Sequence, residues 1–187
     1  MRIIAGQHRG LRLAGVGAGD PAAHLRPTSD RVREAMFNVL LGGRFGDPVT
    51  GAQVLDLFAG TGALGLEALS RGAARVVFVD DGRVAGRLIR DNLARAGRAG
   101  DAVLRAEPVA RLAAGGGWPC GLVFIDPPYG LGLGQAGLAA AQAGGWIAPG
   151  AVVVCEEASA MIPPPGFALL DRRRYGDTHV TLLGAEG

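Results

Sequence analysis

Apolar positions along the chain follow two periods that replace one another at regular intervals. From Asp30, "DRVREAMFNVLL" sets Val32, Met36 and Leu40 four apart, the spacing of one helical face, with Thr28 and Ser29 as N-cap candidates and Gly42 and Gly43 behind it. After Gly51 short unbroken apolar runs alternate with helical stretches: "QVLDLF" then "ALGLEALSRG", "RVVFVD" then "RVAGRLIRDNLARAG", "AVLRA" then "PVARLAAGG", "LVFID" then "LGQAGLAAAQAGG", and finally "AVVVCEE". Unbroken apolar strands separated by helices predict an α/β fold, a parallel sheet covered on both faces. The closing "FALLDRRRYGDTHVTLL" has no helical period and predicts two antiparallel strands meeting near Gly176. At the front, "RIIAG" and "LRLAG" around "QHRG" predict a short hairpin, followed by a loop over 14–23. These patterns divide the chain into an N-terminal arm at 1–28 and an α/β domain at 29–187.

Composition supports one folded core: 187 residues with 49% hydrophobic content exclude a mainly disordered chain. The net charge of +2 conceals an asymmetry, because residues 1–34 carry Arg2, Arg9, Arg12, Arg26, Arg31 and Arg33 against Asp20, Asp30 and Glu34. A basic front of this kind can seat the phosphates of a polyanion, and as a solvated charged face it reads equally well. Every basic residue among the 19 is arginine, which a GC-rich coding sequence explains as readily as any function. Cys120 and Cys155 are too few for a disulfide framework, and the start of the chain lacks a signal-peptide pattern, so a reducing cytoplasm is the expected location. The apolar runs are far shorter than the ~20 residues a membrane helix needs. His8, His24 and His179 show no metal-ligand spacing, and no metal site is expected.

Chemistry concentrates where strands end. "VLDLFAGTGALGLEAL" holds Gly60, Gly62 and Gly65 in G-x-G-x-x-G spacing between a strand and a helix, a loop that lets backbone approach a nucleotide. The spacing alone suits either a dinucleotide or another adenosine cofactor. Asp56, just ahead of the loop, would repel a pyrophosphate but attract the ammonium and sulfonium of S-adenosylmethionine, so the methionyl cofactor is preferred; its bland role is a charge partner for the following helix. Asp80 ends the second strand twenty positions after Gly60, where an acid meets ribose hydroxyls, and Asp81 beside it is expected in solvent. Glu107, after the third strand, falls where an adenine contact is expected, and reads nearly as well as a helix N-terminal acid before Pro108.

"FIDPPYG" ends the fourth strand, at the carboxyl edge where ligands gather in open α/β sheets. Pro127 and Pro128 lack N–H groups, so beside Asp126 the local backbone offers only carbonyl acceptors. Acceptors suit an exocyclic amine of a nucleobase, whose N–H groups can bond Asp126 and the Pro127 carbonyl and favour a pyramidal, nucleophilic nitrogen. Tyr129 adds a flat face for a base that is unpaired or flipped out.

With these residues in place the chain resembles the bacterial RsmD-type family, methyltransferases of the N2 amine of a guanine in 16S ribosomal RNA. "RIIAG", "GLRL", "RPTSDRVREAMFNVL", "VLDLFAGTGALGLEALSRGA", "FVD", "DPPYG" and "RRRYGDTHVTLL" look like that family's blocks in its order. The resemblance implies a seven-stranded class I methyltransferase fold, Rossmann-like, with a C-terminal antiparallel hairpin and an N-terminal β-hairpin and helix extension. It implies S-adenosylmethionine held by Asp56, Phe58, Ala59, Gly60, Thr61, Gly62 and Asp80, with Thr28 of "RPTSDR" closing over it and Asp126 at its methyl end. The target base would sit among Asp126, Pro127, Pro128 and Tyr129, and Arg2, His8, Arg9, Arg12, Arg26 and Arg31 would touch RNA. "DDGR" at Asp80–Arg83 and "AEPVARL" depart from the family pattern, and the second departure bears on Glu107. The implied partner is 16S rRNA within a small-subunit assembly particle, met by a monomer without membrane attachment. An adenine-N6 methyltransferase on nucleic acid, a non-catalytic RNA-binding assembly factor and, disfavoured by Asp56, a nicotinamide dehydrogenase remain as alternatives.

Overall fold

The computed structural model describes residues 1–15, 29–114, 118–128 and 132–187; Arg26, Thr28 and Tyr129, named above, lie outside the described residues. Helix α1 (Asp30–Leu40) opens as its sequence predicts, with the Ser29 hydroxyl accepting from the Val32 N–H at 3.2 Å, and it buries Val32, Met36, Phe37 and Leu40. Strand β1 (Gln53–Leu57) leads into α2 (Ala63–Ser70), and β2 (Arg75–Val79) into α3 (Arg83–Ala96), which ends on Gly97 in the left-handed region. Strand β3 (Ala102–Arg105) precedes β4 (Cys120–Ile125), α4 (Leu133–Ala143) and β5 (Ile147–Glu157). Strands β6 (Phe167–Tyr175) and β7 (Thr178–Ala185) close the chain.

All seven strands form one sheet in the order β3-β2-β1-β4-β5-β7-β6. The first five are parallel, and β7 runs antiparallel to both β5 and β6, so the C-terminal hairpin is inserted with its second strand inward. The order reverses between β1 and β4, which makes the carboxyl ends of those two strands the crevice of the fold. Strand alternation sorts the core into two layers. Val54, Phe78, Phe124 and Val154 pack on the α1 and α2 side, while Leu55, Val77, Ile125 and Cys155 pack on the α4 side.

Three expectations are corrected. The described part of "PVARLAAGG" forms only a 3-10 turn over Val109–Arg111, because Pro108 and the glycines from 115 in the sequence leave under two helical turns, too few to recover the cost of nucleation. Strand β5 starts well before "AVVVCEE", and its pairing with β4 slips between Cys120 and Leu122, an irregularity that accommodates Pro149 and Gly150 inside the strand. The N-terminal hairpin is reduced to a single antiparallel bridge between Arg2 and Arg12, flanked by Ile3 N–H to Leu11 O at 2.9 Å.

What fixes residues 1–15 is the helical layer. Glu67 of α2 accepts from the Ile4 and Ala5 N–H groups at 2.8 and 3.0 Å, and Asn92 of α3 accepts from Ala14 N–H at 2.6 Å. Gly6 lies so close to α2 that a Cβ there would stand 1.9 Å from the Ser70 carbonyl oxygen, a contact only glycine permits. Among the described residues no helix is long and apolar enough to cross a membrane.

Candidate active site

A cavity of about 830 Å³ opens along the carboxyl ends of β2, β1, β4 and β5, within the usual size range of small-molecule sites. Its floor is made by the sharp turn between β1 and α2. Phe58 takes a positive φ of 59°, and Gly60 and Gly62 follow at 55° and 76°. Those angles turn the chain back at once into α2, whose Gly65 packs so tightly that a Cβ would come 2.4 Å from the Phe78 ring. The first two glycines shape the turn and the third seats the helix on the sheet.

Asp56 ends up buried, 1% exposed, while still lining the cavity. It accepts the Gly65 N–H at 2.9 Å, so it also caps α2. Burial pushes its carboxyl up to about 8, with the nearby Asp80 charge adding to the rise and the Gly65 N–H opposing it. Burial disfavours the charge on this carboxyl, and a cation beside it would offset that cost where a pyrophosphate would add to it, so the cavity fits the cationic methionine part of S-adenosylmethionine better than a pyrophosphate. Asp80 is held by two backbone donors, Gly60 N–H and Gly82 N–H, each at 2.8 Å. It ties the turn to the end of β2, and burial raises its pKa as well.

Asp126 and Pro127 reach the same cavity from β4, where the Asp126 N–H meets Leu57 O at 3.5 Å and joins the ends of β4 and β1. Cavity-lining residues thus include Asp56, Phe58, Ala59, Gly60, Thr61, Asp80, Asp126, Pro127 and Pro128. Gly62 stands behind the wall, against Ile89 and Phe78. Glu107 is not part of the wall: it pairs with Arg105 at 2.7 Å and accepts from Ala113 N–H, while Pro108, Val109 and Ala110 line the cavity in its place. Arg2, Arg9, Arg12 and Arg31 are exposed and His8 is half-buried. The arm approaches the site through Met1, whose sulfur lies 3.8 Å from the Thr61 hydroxyl. Among the described residues no group of His, Cys, Asp and Glu could hold a metal ion.

Several further residues line the cavity outside the motifs that the sequence singles out. Asp81 is exposed, as expected, yet lines the cavity. Tyr175 and Thr178 reach it from the C-terminal hairpin, a contact that depends on β7 inserting beside β5. Glu156 lines it from β5 and is 4% exposed. A signal for Glu156 was present: it continues the alternation Val152, Val154 to a strand end.

The family model described as Conserved hypothetical protein 95 matches residues 1–184. The chain is 39% identical to Ribosomal RNA small subunit methyltransferase D of Escherichia coli strain K12, across 83% of this chain and 74% of that one. To the protein of the same name from Haemophilus influenzae it is 30% identical, across 94% and 89%. Its structure superposes on a putative methyltransferase from Escherichia coli with a TM-score of 0.83 and 36% identity, covering 100% of this chain and 98% of the other.

Proposed function

The chain belongs to the RsmD-type family, matched under the description Conserved hypothetical protein 95, and from that premise we propose that it methylates ribosomal RNA of the small subunit with S-adenosylmethionine, at the N2 amine of a guanine. The observation that carries the reading is the pairing within one cavity of a buried Asp56, suited to a cation, with an acceptor cluster at Asp126 and Pro127. S-adenosylmethionine, when bound, supplies a methyl group on a sulfonium that departs as a neutral thioether. Asp56 would hold its ammonium, and the Phe58–Gly62 turn and Asp80 would hold its adenosine.

The remaining chemistry belongs to the chain. Asp126 and the Pro127 carbonyl accept the N–H groups of the guanine N2, drawing its lone pair out of conjugation and aiming it at the methyl. The proton that the amine sheds is taken up at Asp126. Tyr129 would stack on the base, and the exposed Arg2, Arg9, Arg12 and Arg31, with Arg26 and His8, would hold the RNA backbone.

Labelled methyl transfer to small subunits from cells lacking the modification, with the nucleoside identified after digestion, tests the reading. N2-methylguanosine is expected. Label in N6-methyladenosine would replace the base assignment, and cofactor binding without transfer to RNA would make the chain a binding factor.

A further inference from the structure

We propose that Glu156 reads the target base, accepting the N1–H of guanine and thereby rejecting adenine; the assignment rests on the guanine reading above. Strands β4 and β5 are parallel with Ile125 opposite Cys155, and continuing that register by one residue sets Asp126 beside Glu156. Val152 and Val154 share a core layer with Leu122 and Phe124, whereas Val153 and Cys155 pack with Val123 and Ile125. Alternation therefore carries Asp126 and Glu156 onto the same face, on strands about 4.8 Å apart. Both line the cavity.

Sheet order gives each acid its side. Strand β5 flanks β4 on the edge away from β1, so Glu156 stands across Asp126 from Asp56 and the glycine turn. The cofactor side and the base side of the cavity meet at Asp126. Glu156 is 4% exposed yet lines the cavity, so an acceptor stands at the point of the wall where the Val152, Val154 pattern would otherwise set an apolar side chain.

Guanine has the matching edge. It presents three donors in a row, N1–H and the two hydrogens of N2, against three acceptors: Glu156, Asp126 and the Pro127 carbonyl. Adenine keeps the amine but turns a lone pair at N1 toward the Glu156 carboxylate, so acceptor faces acceptor. A site built on a substrate N–H discriminates strongly against an analogue lacking it, because the buried acceptor is left unpaired. Asp126 and Pro127 alone treat any exocyclic amine alike; Glu156 supplies the difference.

The test compares wild type with Glu156→Gln on small subunits reconstituted with guanosine or 2-aminopurine riboside at the position that wild type labels. 2-Aminopurine retains the exocyclic amine and has no N1–H. Wild type is expected to favour guanine by about a hundredfold or more in kcat/KM, and Glu156→Gln, whose amide can donate to N1, to narrow that preference to within about tenfold, with S-adenosylmethionine affinity unchanged. Equal discrimination by the two proteins, with wild-type product identified as N2-methylguanosine, would overturn the role of Glu156 and leave the guanine reading standing. Loss of cofactor affinity in parallel with transfer would also overturn it, assigning Glu156 to the scaffold. Wild-type label in any other nucleoside would overturn the guanine reading itself, and this assignment with it.

Discussion

The burial that would suit Asp56 to a cationic cofactor works against the fold. The Asp56 carboxyl is raised to about 8 by burial, so folding must either neutralise it or bury its charge. A raised native pKa means the associated stability is complete below the ordinary carboxylate pKa and is lost as pH climbs toward 8. Asp56→Asn can still accept the Gly65 N–H and escapes that loss. Its unfolding midpoint without cofactor should exceed that of wild type by a margin that grows from about pH 4 to about pH 8 and then levels, on the order of a few kcal/mol. The same substitution should weaken S-adenosylmethionine binding, read by calorimetry, and remove the rise in wild-type affinity between pH 6 and 8.5. A midpoint unchanged with pH would contradict the assigned cause. Asp56 and Asp80 were legible in the sequence because each ends an apolar run beside glycines. Glu107 was not, since nothing in the sequence shows that Arg105, the last residue of β3 and two residues back, takes its carboxylate.

At the scale of elements, the arm and α2 depend on one buried carboxylate. Glu67, 0% exposed, accepts from Ile4 and Ala5, bonds Arg71 at 2.8 Å and faces the fully buried Arg33 at 3.7 Å. Glu67→Ala would remove one of the two carboxylates that face Arg33, leaving Asp30 at 2.8 Å, and would free the Ile4 and Ala5 N–H groups of the arm, costing about 3–5 kcal/mol in denaturant unfolding. Gly65→Ala should cost about 1–3 kcal/mol, as α2 is pushed off the Phe78 ring. A loss below half a kcal/mol in either would remove that contact from the account. The strands and three of the four interstrand helices of the α/β body were readable from period and length, because buried parallel strands are unbroken apolar runs and amphipathic helices are not. The helix expected in "PVARLAAGG" failed because composition says helix while Pro108 and the glycines set the length. The inward insertion of β7 was also out of reach, since a hairpin pattern does not say which strand meets the sheet, and Tyr175 and Thr178 were missed for that reason.

For the whole molecule, a net charge of +2 understates the basic front, which places Arg9 and Arg12 in solvent on the arm. RNA affinity should fall with salt, and Arg9→Gln or Arg12→Gln should each reduce the slope of log affinity against log salt by about 0.7 to 0.9 if the residue meets a phosphate. Slopes equal to wild type would move the RNA surface elsewhere. The glycine turn and the acceptor cluster were legible separately; that they share one cavity follows from the reversal of strand order between β1 and β4, which no local pattern encodes. This division of the cavity, with Asp56 and the turn serving the cofactor and Asp126 serving the base, is the central claim. Its most direct test is Asp126→Ala, measured for S-adenosylmethionine affinity and for single-turnover methyl transfer to small subunits. The expected result is affinity within a few-fold of wild type and transfer reduced by about a thousandfold or more. Affinity and transfer falling together by similar factors would contradict it.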